Sequence, residues 1–485
     1  MIHRLSLLIL AAALPVSAVE IPTFSPAEFN VRDFGARGNG LNNDTAPINA
    51  AIEKCSSSGG GTVRFPVGVY SAASIHLRSN VRLLLDAEAV IAGAADGYDQ
   101  PEPNPFDRFQ DFGHSHFHNA LLWGENIENF AIIGGRIDGS HLVEDDAAPG
   151  KGDKIIALKS SRRLLFQNIV HRIGAHFVYL LNDCDQVTID HVSIQQSRDG
   201  INVVSCRDVA VRDCNITGCG DDAIALKSDY ALGRKIGSAN ITVTDCHLET
   251  AANAMQIGSE TVGDVRDVSF SRIGIARAGK AAIGLTSADG AIIENIRYSE
   301  ITIRKAGCPI FMHVTSRLRS GEATRHIGAI RHVTISDLTS TDSKPPRDVP
   351  VSPAIIVGKA ESPIDNVTLQ NVSVVSAGRG TKPAKWTLPE SRGHPHKAFA
   401  YAPAAALFVS DARGLRLQNV QFSYERADAR PSLVAINVDG LEMERLHAQK
   451  TGTETLHLER VNKLLLRDSA PLPDQSVDQL NELAF

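Results

Sequence analysis

Cysteine is scarce in this chain, with seven among 485 residues. That is too few for a disulfide framework in a protein of this length. Cys184 and Cys206 fall at one phase of a sequence repeat, and Cys214 and Cys246 at another. Stacked neighbours about 5 Å apart permit a disulfide without requiring one, and interior free thiols are the expectation. Basic runs are also missing and the formal charge is −6, which excludes the electrostatic footprint of a nucleic-acid binder. No stretch is long and apolar enough to cross a bilayer. The one short apolar run, residues 5–14, follows His3 and Arg4 and leads into Val16-Ser17-Ala18. That order predicts a signal peptide over 1–18 with cleavage near Ala18, and a secreted or periplasmic protein over 19–485. Asn-Gly hairpin signals are mostly absent, which argues against a β-sandwich. A nucleophile elbow is absent too, so a Ser-His-Asp hydrolase is not supported.

What the chain has instead is a short repeat. A small alternating strand such as Gln186-Val187-Thr188-Ile189 is followed by a second, Val192-Ser193-Ile194, a polar turn, and a third, Gly200-Ile201-Asn202-Val203-Val204. The first apolar residue of each unit forms the series Val81, Phe130, Leu164, Val187, Val209, Ile241, Val268, Ile296, Val333, Val367, Leu415, Leu441, Leu464. Short strands at this period, with no helix between them, predict a solenoid of parallel strands that buries its apolar faces only by stacking. The fold class is therefore all-β, a single-domain right-handed parallel β-helix with no domain boundary. Asp44 and Thr45 are placed to cap a helix over residues 46–57, with Ile48, Ala51 and Ile52 on one face to close the first coil. Residues 471–485 are the candidate for the other end. Asn240, Asn295, Asn366, Asn371 and Asn419 read as turn residues of the coil rather than as glycan sites, although some lie in N-x-S/T sequons.

The extra length falls at one phase. Residues 93–119, 140–154, 342–353 and 378–403 each follow a second strand and precede a third. Asp199 and the pair Asp221-Asp222 occupy the same phase, so loops and carboxylates should share one face and wall one cleft. The loops carry His114, His116, His118, Lys385, Trp386, His394, His396 and Lys397, groups that suit a sugar ring and an acidic polymer. Close carboxylates push each other's pKa upward, and paired acids with separated pKa values are what glycosidic cleavage requires.

The segment Asn30-Val31-Arg32-Asp33-Phe34-Gly35-Ala36, with Asn43-Asp44-Thr45 and Gly59-Gly60-Gly61-Thr62-Val63-Arg64-Phe65-Pro66, resembles the start of pectin-lyase-like β-helix proteins. The block Gly220-Asp221-Asp222-Ala223-Ile224-Ala225-Leu226-Lys227-Ser228 resembles glycoside hydrolase family 28, the polygalacturonases. The resemblance implies an inverting hydrolase of pectin-like galacturonan or rhamnogalacturonan, with Asp221 as proton donor and Asp199 and Asp222 activating a water. It implies no metal and no cofactor, and a polysaccharide or oligosaccharide as the partner. Asn253, Gln256, Lys227, Lys280 and His313 are the candidate substrate-binding residues. Two departures matter. Asn253 stands where the family has a histidine, and Gly284-Leu285-Thr286 where it has Arg-Ile-Lys. The second loss predicts weak action on plain homogalacturonan. A polysaccharide lyase and a non-catalytic β-helix are the competing readings. The three retained aspartates disfavour both.

Overall fold

The computed structural model describes residues 20–109, 112–142, 153–319, 325–341, 353–388, 402–450 and 454–485. Parallel pairing dominates, as expected for strands that recur every two or three dozen residues without hairpin turns. Three strand rows run along the molecule. One contains Arg162–Gln167, Asp185–Asp190, Arg207–Arg212 and Ser238–Thr244. A short second row contains Val170–His171, Ser193–Ile194 and Asn215–Cys219. The third contains Phe177–Asn182, Asp199–Val204 and Ile224–Ser228. The molecule is a parallel β-helix.

The register follows the sequence repeat residue by residue. Phe130 pairs with Leu164, and the ladder continues through Val187, Val209, Ile241, Val268, Ile296, Val333, Val367, Leu415 and Leu441 to Leu464. Each of these side chains is buried in one continuous apolar core. Stacking identical phases buries them because a single coil has no partner for its own apolar face.

The corners use left-handed backbone. Asn240, Asn295, Asn366, Asn371 and Asn419 all have φ between 53° and 58°. Asparagine tolerates this region better than most residues because its short polar side chain bonds locally. Asn240 Nδ2 donates to Asp208, Asn295 Nδ2 to Asp267 and Asn371 Nδ2 to Asp337, each on the coil before. Asn419 Nδ2 donates to Asn371 in the same way.

Both ends are closed. The helix Thr45–Ser57 buries Ile48, Ala51, Ile52 and Cys55 against the first coils. Its cap differs from the expectation. The Asp44 carboxylate makes no capping bond and instead accepts from the backbone N–H groups of Arg37 and Gly38. Asn43 Oδ1 accepts from the Thr45 N–H and hydroxyl, so the turn before the helix, not the helix itself, claims the acid. At the other end Gln475–Ala484 pairs antiparallel with Leu456–Arg467. The reversal ends the parallel stack. All seven cysteines are free and buried.

Candidate active site

The third strand row presents its alternate residues outward. In register these are Trp123, Ala157, Leu180, Asn202, Ala225, Gln256, Gly284, Phe311, Ile355, Phe408, Val434 and His457. Several form apolar clusters separate from the core. This row is the floor of a face, and the insertions lie against it. Asn104 Nδ2, in the first insertion, donates to the Ala231 carbonyl at 2.8 Å. The His114 ring stacks on Phe177. The His176 N–H donates to the Asp153 carbonyl at the end of the second insertion. Leu388, from the fourth, packs with Ala281, Phe311 and Ile355. Residues 342–352 and 389–401 lie outside the described residues, and with them His394, His396 and Lys397.

Backbone bonds between coils fix the three aspartates. The Asp199 N–H donates to the His176 carbonyl, the Asp221 N–H to the Arg198 carbonyl, and the Gly200 N–H to the Asp222 carbonyl. Successive coils therefore deliver Asp199, Asp221 and Asp222 to one spot. Asp199 and Asp222 are buried, whereas Asp221 is partly open, with 31% of its side chain exposed.

Two cations flank the open member. Arg198 Nη2 donates to Asp221 Oδ2 at 3.2 Å, and Arg198 Nη1 lies 3.4 Å from Asp199 Oδ1 and 2.9 Å from His176 Nε2. Lys280 Nζ donates to Asp221 Oδ1 at 3.4 Å. Burial works against the Asp221 charge, but Lys280, Arg198 and Lys227 outweigh it and hold the carboxyl below its ordinary range. The other two move the opposite way. Burial, reinforced by the Asp221 charge, pushes Asp222 up to about 6 and Asp199 well above the usual carboxylate value. One cluster thus contains a carboxyl held below its ordinary range beside two held above it, the separation that acid–base chemistry needs.

Asn253 orients the buried acid. Its Nδ2 donates to Asp222 Oδ1 at 2.7 Å, while its Oδ1 accepts from the Ala281 N–H. Gln256 is buried on the floor, its Nε2 donating to the carbonyl of Ile257. A Cβ at position 284 would collide with its amide, so glycine there gives Gln256 its room.

Two candidates sit elsewhere than the sequence placed them. Lys227 is buried beneath the cleft, its Nζ bonded to Glu260 Oε2 at 3.0 Å with His114 Nε2 3.4 Å away. There its charge faces Glu260 and the acids. Burial disfavours its charge, but Glu260, Asp222 and Asp199 more than restore it. Glu260 also pairs with Arg317. His313 is in register with Thr286 and lines a separate cavity with Trp386. Sequence reasoning passed over His176, Asn202, whose Nδ2 donates to Asp199 Oδ2, and Glu260. Asn202 and Glu260 lie on the strand row that follows the acids, a signal that could have exposed them. His176 stands one repeat before Arg198, and neither was singled out in the sequence.

Comparison with known proteins follows the same lines. The model of the glycosyl hydrolases family 28 matches residues 108–390. A probable polygalacturonase of Vitis vinifera is 27% identical over 258 residues, which is 49% of this chain and 52% of that protein. The chain thus spans about half the length of this curated relative. Among solved structures, a family 28 exopolygalacturonase of Yersinia enterocolitica superposes with a TM-score of 0.64 at 16% identity, covering 88% of this chain and 79% of that one. The polygalacturonase of Erwinia carotovora subsp. carotovora gives a TM-score of 0.52 at 20% identity, over 73% and 95% of the two chains. These two likenesses concern the fold.

Proposed function

This chain belongs to family 28 of the glycosyl hydrolases, and from that premise we propose that it hydrolyses glycosidic bonds in a pectin-like polysaccharide with inversion. The observation that supports this reading is the gathering of Asp199, Asp221 and Asp222 beside Arg198 and Lys280. An inverting site needs one acid to protonate the leaving oxygen and a carboxylate to activate water. In our reading Asp221, the member open to the cleft, is the acid. The free site keeps it charged because both cations lie on it. A uronate carboxylate entering the cleft competes for Arg198 and Lys280 and draws them from Asp221. The proton held by the buried pair then passes to Asp221, and the buried pair is left as the base. Asn253 holds Asp222 in position throughout.

The same reading bears on the substrate. Lys280 and Arg198 supply positive charge on one side of the cluster, whereas Gly284 and Thr286, on the same coil as Lys280, have none to offer. A backbone that alternates uronic acid with a neutral sugar fits such a face better than uninterrupted galacturonan. Export with cleavage near Ala18 belongs to this proposal as well. No helix among the described residues is long and apolar enough to cross a membrane.

The test is a comparison of purified homogalacturonan with a rhamnose-interrupted galacturonan, following new reducing ends and the anomeric form of the first product. Faster release from the interrupted polymer, with inversion and no ultraviolet-absorbing unsaturated product, is the expected result. Equal turnover of homogalacturonan would overturn the substrate preference. Unsaturated products would replace hydrolysis with elimination.

A further inference from the structure

Further along the face is a cavity of about 360 Å³ whose lining includes Phe311, His313, Lys359, Trp386, Phe408 and Arg460. The outward row passes from Ala225 beside the acids through Gln256, Gly284 and Phe311 to Ile355 at the cavity. Phe311, three ladder steps of about 4.8 Å from Ala225, already lines it, so its near wall stands roughly 14 Å from the acid cluster. It is a second site on the same face, within the size range of small-molecule pockets.

We infer that this cavity is a distal sugar-binding site that takes a neutral sugar residue of the polysaccharide chain. The identity of the ligand as carbohydrate rests on the function proposed above. The neutrality rests on the cavity itself. Its floor is apolar, built from Phe311, Ile355 and Phe408. Trp386 stacks on His457 with ring centroids 3.8 Å apart and planes within 14°, which fixes the indole plane. An aromatic platform suits the C–H face of a pyranose, since both are apolar and flat. The cations at the rim are already engaged. Lys359 Nζ lies 3.9 Å from Glu361, and Arg460 bonds to Glu459 and to Asn437 Oδ1. Asp411 Oδ1 accepts from Asn437 Nδ2. The two cations of the lining are matched by the carboxylates of Glu361 and Asp411, so a uronate carboxylate meets no net positive charge, whereas hydroxyls need only a donor or acceptor. His313 Nδ1 is such a group, buried and without a hydrogen-bond partner. A buried polar atom left unmatched in a residue that lines the cavity is costly until a partner satisfies it.

The chain's two tryptophans make the site directly observable. Trp123 stands at the opposite end of the outward row, so in Trp123→Phe the fluorescence reports Trp386 alone. The probes are a neutral galactotriose and trigalacturonate, titrated in an Asp221→Asn background to prevent turnover. Galactotriose should give a saturable change and trigalacturonate little. His313→Ala should weaken galactotriose by about three- to tenfold, the worth of one hydrogen bond. If Trp123→Phe does not fold, the same titration of the Asp221→Asn protein should give a change that Trp386→Phe abolishes. A silent Trp386 with both sugars overturns the inference even if pectic polymers are cleaved. An equal response to both sugars overturns the neutral preference. A response to galactotriose in a protein that cleaves no pectic polymer keeps this site and removes the proposed function instead.

Discussion

At Asp221 two cations favour the charged carboxylate while the neighbouring carboxyls favour a proton, and a single-atom substitution probes the outcome. Asp221→Asn keeps the shape and removes the acid. Hydrolysis should fall by about 10²–10⁴-fold, the usual worth of a general acid. The melting temperature should move little, because the ion pairs lost with Arg198 and Lys280 are partly exposed and worth about 1 kcal/mol or less. Near-wild-type activity would displace Asp221 from the role. Adding Asp199→Asn should cost much less than the product of the two single losses, since the residues act as one unit. Asp222 carries a different signature. Its folded value, about 6, stands above the ordinary 3.8, so the folded protein binds its proton more tightly than the unfolded chain. The associated stability is complete below 3.8 and is lost as pH rises through about 6. Melting temperature measured across that window should fall more steeply for wild type than for Asp222→Asn. Parallel curves would mean that Asp222 is not the group holding the proton.

At the scale of elements, the corners fix where each strand begins. Asn295 has φ 58° and bonds to Asp267 on the preceding coil. Asn295→Ala loses the bond and with it the local bonding that lets asparagine tolerate left-handed backbone, a conformation that costs other L-residues roughly 1–2 kcal/mol. Asn295→Gly loses only the bond and should be milder. Denaturant unfolding of the two variants checks this, and equal losses would show that the amide ladder, not the backbone conformation, matters at this corner. The strand ladder itself was legible in the sequence because a period of stacked apolar residues leaves one pairing in which all of them are buried. The helix cap was not. Asp44 precedes the helix as a capping acid should, but nearby backbone N–H groups of Arg37 and Gly38 were free to claim it, and local spacing cannot rank such competitors.

For the whole molecule, a solenoid survives only if its last coil is covered. Gln475–Ala484 does this by running antiparallel along Leu456–Arg467, with Val477, Leu480 and Leu483 against the core. Removing residues 471–485 exposes a long strand edge of the kind that templates further pairing. The truncated chain should aggregate on light scattering under conditions where the full chain is monodisperse. A monodisperse truncated protein with unchanged melting temperature would show that the parallel stack closes itself. The same architecture explains the layout of the face. Stacking converts equal phase in the sequence into one side of the molecule, so the acids, the insertion around His114 and the Trp386 cavity all open along one line.

The sequence by itself determined the coil, its register and the meeting of Asp199 with Asp221 and Asp222, because each is a matter of period, and stacking turns period into position. It also singled out Asn253 and Lys280, which stand one and two coils on from the aspartate pair. Charge and burial were left to the tertiary structure. Lys227 and His313 share the phase of the cleft, yet one is bonded to Glu260 under the acids and the other lines a cavity three coils on, roughly 14 Å away by the ladder count. Arg198 was not singled out in the sequence, yet its guanidinium reaches two of the acids. Such roles depend on which partner reaches a side chain first across coils, a distance in space that no spacing along the chain encodes.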